Sequence, residues 1–288
     1  MQYELGRTSR LGNRKINQDR LASIETEGGV MLVLGDGLGG STGGELASQM
    51  LIDTVNQELE RHPLPIAHPE SFLEAIILQS HYAIQEMGKS QEPPIEAGTT
   101  AVLCLVQEGM AWWAHAGDSR FYLFRNGLPL YRTKDDSYVE QLYQQGQLSM
   151  EKRDGHPMRN LVTQCIGLHN ISPEVTVSKG VELVENDILL LCSDGFWEPL
   201  DDAQMGAMIE QGSLNDALAK LAERAEQASY PKSDNTSALA IKVFSLQLID
   251  KPEKPPIEAI HPRDEDSLTG AISEIERAIE QYEDEMKE

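Results

Sequence analysis

The sequence predicts an α+β protein of two antiparallel sheets with helices packed outside them. Three observations carry this. Short apolar runs are joined by tight turns, as at Gln107-Glu108-Gly109 and Asn126-Gly127, which is how antiparallel strands connect. Helical periodicities come in adjacent pairs and not singly between strands, which disfavours a parallel doubly wound sheet. A chain of 288 residues, 40% hydrophobic and 25% charged, is long and apolar enough to bury a sizeable core.

In chain order, residues 3–12 and 20–25 read as strands flanking the polar loop GNRKINQD, and 30–35 as a buried strand running into a glycine-dense loop. Gly43 to Arg61 reads as a helix, with Leu46, Met50, Val55 and Leu59 on one face, stopped by His62-Pro63-Leu64-Pro65. A second helix spans about 69–87. Strands follow at 99–106, 110–116 and 120–125. Residues 133–171 are largely polar, with a short helix near 136–145, and read as an insertion at the sheet edge. Strand character returns at 174–177 and 187–192, helices at 201–211 and 214–228, and a closing strand at 237–244.

Residues 1–248 are expected to form one domain. Residues 249–288 are expected to be an acidic, proline-containing linker followed by an amphipathic helix. Leu268, Ile272, Ile275, Ile279, Tyr282 and Met286 form a short heptad stripe over 268–286, suited to docking on the domain itself, to self-association or to a protein partner.

The formal charge is −23, from 24 basic and 47 acidic residues, which argues against nucleic-acid binding because phosphates would be repelled. Cys104, Cys165 and Cys192 are an odd number without CxxC spacing, so neither a disulfide framework nor a zinc site is expected. No signal segment and no apolar run of ~18–20 residues is present, so a cytoplasmic protein without a membrane span is expected.

The chemistry is concentrated in aspartates at strand ends and turns: Asp19, Asp36, Asp118, Asp194 and Asp234. Any one alone reads as a turn residue. Together they suggest strands presenting their ends to a common edge. A carboxylate cluster without Cys or spaced His selects a hard cation, Mg²⁺ or Mn²⁺. Two such ions would bind a water between them, lower its pKa and clamp a phosphoryl oxygen. Arg14, five residues before Asp19, carries a guanidinium fork suited to a phosphate dianion.

In order and context these motifs resemble the metal-dependent serine/threonine protein phosphatases of type 2C, the PPM family, in its compact bacterial form. The residues concerned are Arg14-Lys15-Ile16-Asn17-Gln18-Asp19, Gly35-Asp36-Gly37-Leu38-Gly39-Gly40, Gly98-Thr99-Thr100, Ala116-Gly117-Asp118-Ser119-Arg120, Thr133-Lys134-Asp135-Asp136-Ser137, Leu191-Cys192-Ser193-Asp194-Gly195 and Asp234-Asn235-Thr236. The match covers about residues 1–245. The resemblance implies a four-layer α-β-β-α sandwich and hydrolysis of phosphoserine and phosphothreonine in proteins by a metal-bridging hydroxide, opposing a bacterial serine/threonine kinase. It implies that Asp36 bridges two Mn²⁺ or Mg²⁺ ions, and that the Gly37 carbonyl coordinates the first while Asp194 and Asp234 hold the second. Asp19 would act through metal-bound water, Asp118 with Asp194 would form a third site, and Arg14 would bind the phosphate. The 133–171 insertion matches the family's flap.

Two departures bear on the chemistry. Several relatives carry Glu where this chain has Gln18, and many eukaryotic ones carry a histidine, a proposed general acid, where it has Leu38. His156 in the flap is the first substitute considered for that acid, with His115 and His169 behind it. Two other readings fit part of the pattern. Gly35, Gly37 and Gly40 satisfy the dinucleotide pattern G-x-G-x-x-G, but Asp36 would face a pyrophosphate, and no acid ends a second strand ~20 residues on. A non-catalytic phosphatase-like binding module would be expected to lack metal-binding acids, and they are present.

Overall fold

The computed structural model describes residues 1–38, 43–149, 152, 155–168 and 171–246. The expected helix at 268–286 lies outside the described residues, as do Gly39, Gly40 and His169. Met1–Leu248 forms one compact unit.

Two antiparallel sheets make the centre. The first is ordered β1 (Gln2–Arg10), β12 (Thr236–Ser245), β11 (Ile188–Cys192), β7 (Arg120–Arg125), β8 (Leu128–Arg132). The second is ordered β10 (Val181–Glu182), β6 (Met110–Ala116), β5 (Ala101–Gln107), β3 (Gly29–Leu38), β2 (Asp19–Thr26). Short β4 (Gly98–Thr99) pairs with β3, and β9 (Thr176–Val177) with β6. Helices α1 (Gly43–Arg61) and α2 (Pro69–Ser90) cover the second sheet. Helices α5 (Asp202–Ile209) and α6 (Leu214–Ser229) cover the first. The sandwich therefore has the expected four layers.

The unbroken apolar runs are explained by burial on both faces. In β3, Val30, Leu32 and Leu34 point into the core between the sheets, while Met31 and Val33 point under α1 and α2. In β11, Leu189 and Leu191 face the inter-sheet core, while Ile188, Leu190 and Cys192 face α5 and α6. Side chains alternate across a strand, so a strand buried on both faces needs no polar positions. At its outer edge β8 is exposed along its length, and Pro129 is tolerated there because an edge strand has spare N–H positions.

The turns follow their sequence signals. Asn126 and Gly127, at φ 52° and 69°, close the β7–β8 hairpin. Within the insertion, α3 (Tyr138–Gln144) is capped by Ser137, whose side chain accepts the Glu140 N–H. Three elements exceed the sequence reading: β8, β10, and α4 (Asp194–Trp197), a single turn directly after β11. β8 is exposed along its length and so shows no apolar alternation, and β10 and α4 are shorter than any hydrophobic period can reveal. All three cysteines are free and buried. Among the described residues, no helix is long and apolar enough to cross a membrane.

Candidate active site

Strand parity sends the first two aspartates to the same place. Asp36 lies two residues beyond Leu34, and Asp19 two before Leu21; both leucines face the inter-sheet core. In the β2–β3 ladder Asp19 and Asp36 are direct partners. Both carboxylates thus stand at the mouth between the sheets. The others reach that mouth from separate segments: Asp118 from the β6–β7 connection, Asp194 from the first residue of α4, and Asp234 from the loop entering β12.

Their convergence shows in their electrostatics. Burial, then the charges of Asp19, Asp194, Asp118 and Asp234, hold the Asp36 carboxyl well above the ordinary range. Burial, then Asp118, Asp234 and Asp19, do the same to Asp194. Asp19 is pushed up to about 6, chiefly by burial, against hydroxyls of Ser237 and Ser193 that favour its ionised form. Asp118 is pushed up to about 7, again chiefly by burial, with Asp135 adding to it. Like charges gathered in a desolvated mouth resist ionisation unless a cation joins them.

The supports are specific. Ser193 Oγ donates to Asp19 Oδ2 at 2.8 Å and accepts the Ser237 N–H at 3.0 Å. The Asp36 N–H donates to Thr100 Oγ1 at 2.9 Å, and the Asp36 carbonyl accepts the Thr100 N–H at 2.8 Å. The Gly37 N–H donates to the Gln18 carbonyl at 3.2 Å. Gly37 also packs backbone to backbone against Gly44 at the start of α1. A Cβ on Gly37 would sit 2.3 Å from the Gly44 oxygen, and one on Gly44 would sit 2.8 Å from the Gly37 oxygen, so neither tolerates a side chain. Gly44 was not singled out in the sequence, because its need is set by a neighbour seven residues away in another element.

The arrangement fits a divalent cation. Asp19 Oδ1 and Asp194 Oδ1 are buried without a hydrogen-bond partner. Oxygen-only donors crowded together match Mg²⁺ or Mn²⁺. Among the described residues no three such groups are drawn into a closed ion cage. Instead Arg14 reaches across to the Asp234 carboxylate. Arg14 is half-exposed at 56%, so it lies at the rim with its guanidinium toward the mouth.

The histidines are placed differently. His156 Nδ1 accepts the Met158 N–H at 3.1 Å, and its ring lies 6.2 Å from that of Tyr138, both contacts within the insertion. His115 is buried, with Nε2 at 2.9 Å from the Lys134 carbonyl. No contact of either ring reaches the five aspartates among the described residues. Burial pushes the Cys165 thiol up to about 11 and the Cys104 and Cys192 thiols higher, which removes them as nucleophiles.

A four-layer sandwich with aspartates massed at one mouth has the layout of a cation-dependent phosphatase. The family model for protein phosphatase 2C matches residues 7–240, and the chain belongs to that family. The serine/threonine protein phosphatase PstP of Mycobacterium tuberculosis is 30% identical over 217 residues. Those residues are 75% of this chain, which spans 41% of the length of that relative. Among solved structures, the Streptococcus agalactiae serine/threonine phosphatase superposes with a TM-score of 0.77 at 26% identity, covering 84% of this chain and all of that one. The PstP catalytic domain in complex with two manganese ions gives 0.70 at 28% identity, over 84% of this chain and 99% of its own.

Proposed function

We propose that this chain hydrolyses phosphoserine and phosphothreonine monoesters in proteins with the help of two Mn²⁺ or Mg²⁺ ions. The observation that carries the reading is the convergence of five aspartates from five segments, two of them with a buried, unpartnered carboxylate oxygen. The PstP complex with two manganese ions supports the choice of cation.

Asp36, the Gly37 carbonyl, Asp194 and Asp234 would hold the two ions, and Asp118 with Asp194 a third. When bound, such ions activate water at neutral pH and neutralise charge on the phosphoryl oxygens. Asp19, fixed by Ser193 on one oxygen, keeps its other oxygen free to orient water. Arg14 at the rim is placed to bind the phosphate dianion, once a cation competes with it for Asp234. The buried thiols leave no covalent route through cysteine.

A phosphothreonine peptide incubated with purified protein should release phosphate only when Mn²⁺ or Mg²⁺ is added, and Asp36→Asn should abolish the release. Turnover that persists in chelator would overturn the reading. The stripe at 268–286 supports a role for that segment in self-association or partner binding. If it self-associates, truncation after residue 248 should reduce the oligomer size seen by light scattering; an unchanged size leaves partner binding as the reading of the stripe.

A further inference from the structure

Beneath the Asp118–Asp194 side of the mouth lies a buried guanidinium that the functional reading does not use. Arg120 is only 5% exposed. Its Nε and Nη2 donate to the two oxygens of Asp135 at 2.7 and 2.8 Å, and its Nη1 donates to the Tyr122 hydroxyl at 3.0 Å. That hydroxyl donates in turn to Asp202 Oδ1 at 3.0 Å. The guanidinium carbon sits 3.2 Å from the ring centroid of Trp197. The indole Nε1–H of Trp197 donates to the Asp118 carbonyl at 3.0 Å. Arg120, Trp197, Asp118 and Asp194 all line one cavity of about 380 Å³.

We propose that Trp197 is a positioning residue that holds the Asp118 loop at a set distance from Asp194, and that Arg120, locked by Asp135, holds the indole in place. The proposal rests on the cation-dependent reading above. The reason is mechanical and electrostatic. Asp194 opens α4 and Trp197 ends it, so the indole is rigidly tied to Asp194 through a single helical turn. By reaching back to the Asp118 backbone, it links the segments of two carboxylates that repel each other. An indole with one hydrogen bond could still swing. The cation stacked on its face removes that freedom, and the two-pronged Asp135 contact removes the guanidinium's own. Asp135 lies at the root of the 133–171 insertion. The next residue, Asp136, accepts the Gly117 N–H at 2.9 Å and donates its own N–H to the Gly117 carbonyl at 3.0 Å. The insertion's root, the Asp118 loop and α4 are therefore one braced unit.

The test is calorimetric titration of the full chain with Mn²⁺, comparing wild type with Trp197→Phe, which keeps the stacking ring and deletes the N–H. Supporting residues around a metal contribute about ten- to a hundredfold in affinity, so the Mn²⁺ site that includes Asp118 should lose about tenfold while the site held by Asp36 and the Gly37 carbonyl, which Trp197 does not touch, changes less. The Mn²⁺ concentration giving half the maximal rate should rise by a similar factor, with KM for the phosphopeptide unmoved. Asp135→Asn, which removes one of the two acceptors of Arg120 and the paired charge without touching Trp197, should shift the same site in the same direction by less, and it serves if the first variant does not fold. Wild-type Mn²⁺ affinity in both variants, whatever their melting temperatures, would overturn the proposal. A wild-type chain that binds no Mn²⁺ would remove the cation reading itself, and this proposal with it.

Discussion

The two sides of the aspartate cluster are held by different means. On one side, Asp19 and Asp36 are partners at the end of the β2–β3 ladder, so the main-chain pairing of these two strands sets their separation. On the other, Asp118 and Asp194 belong to loop and helix segments of different strands, and their link is the side-chain brace of Trp197, Arg120 and Asp135. A ladder forces carboxylates together regardless of the side chains around it. A brace does so only while each of its members is intact. Substitutions that leave the five aspartates untouched should therefore reach the second side through Trp197, Arg120 or Asp135, and the first side through the groups that contact Asp19 or the Gly37 backbone.

The largest effect should come from the ladder side when an aspartate itself is changed. Asp36→Asn should lower phosphatase turnover by well over the roughly hundredfold that bounds most supporting residues, without lowering the melting temperature. It should in fact raise the stability of the cation-free chain, because it removes a charge that four other aspartates repel. Thermal melts in chelator check this, and a destabilised variant would show that Asp36 is not held against repulsion.

Next in size is Ser193→Ala. It strips the donor from Asp19 Oδ2 and leaves the buried Ser237 N–H without its acceptor. A buried group left unsatisfied costs about 1–3 kcal/mol, which denaturant melts should read directly. Gly44→Ala is expected to cost a similar amount, about 1–3 kcal/mol for overpacking. It should also weaken Mn²⁺ binding, because the new methyl pushes on the Gly37 carbonyl. A Gly44→Ala chain with wild-type Mn²⁺ affinity would argue against a metal role for Gly37.

A smaller effect is expected from pH. Asp19 and Asp118 titrate at about 6 and about 7 in the folded chain, above the roughly 4 of a free carboxylate. A raised folded-state value means their contribution to stability is full below about pH 4 and is lost as pH rises through 6 and 7. In chelator the melting temperature should therefore fall between pH 5 and pH 8, and added Mn²⁺ should raise it more at pH 8 than at pH 5. A pH-independent Mn²⁺ effect would break this account. The smallest effect is expected at His156, whose contacts stay within the insertion. His156→Ala should leave kcat and its pH dependence unchanged, and a large fall in kcat would restore the histidine to the chemistry.

How much of this was legible depended on length and locality. Helix α1 runs from Gly43 to Arg61 as expected, but its buried face is Ala47, Leu51, Ile52, Val55 and Leu59; Leu46, expected on that face, is 40% exposed, because the apolar stripe is wider than the face and only packing decides which part of it is covered. The turns at 108–109 and 126–127 were legible because each carries a glycine at positive φ. The strand β3 reads as an apolar run because both its faces are covered. Helix α4 was invisible, since four residues hold no period. Of the site, the five aspartates and Arg14 stood out as residue types at strand ends. Gly44 and Trp197 carried no such mark, since a glycine and a tryptophan are ordinary anywhere, and Ser193, though part of the Leu191–Gly195 motif, gave no sign that its hydroxyl holds Asp19.

The sequence by itself determined the class of the fold, the family and the identities of the acids, because these are written in local periods, turn chemistry and ordered short motifs. Only the tertiary structure decided which oxygens are held and which are free, where Arg14 rests, and what keeps mutually repelling carboxylates together. Those are distances between segments up to 220 residues apart, such as Arg14 and Asp234. No local pattern in a chain can encode a distance that exists only after two sheets have closed on each other.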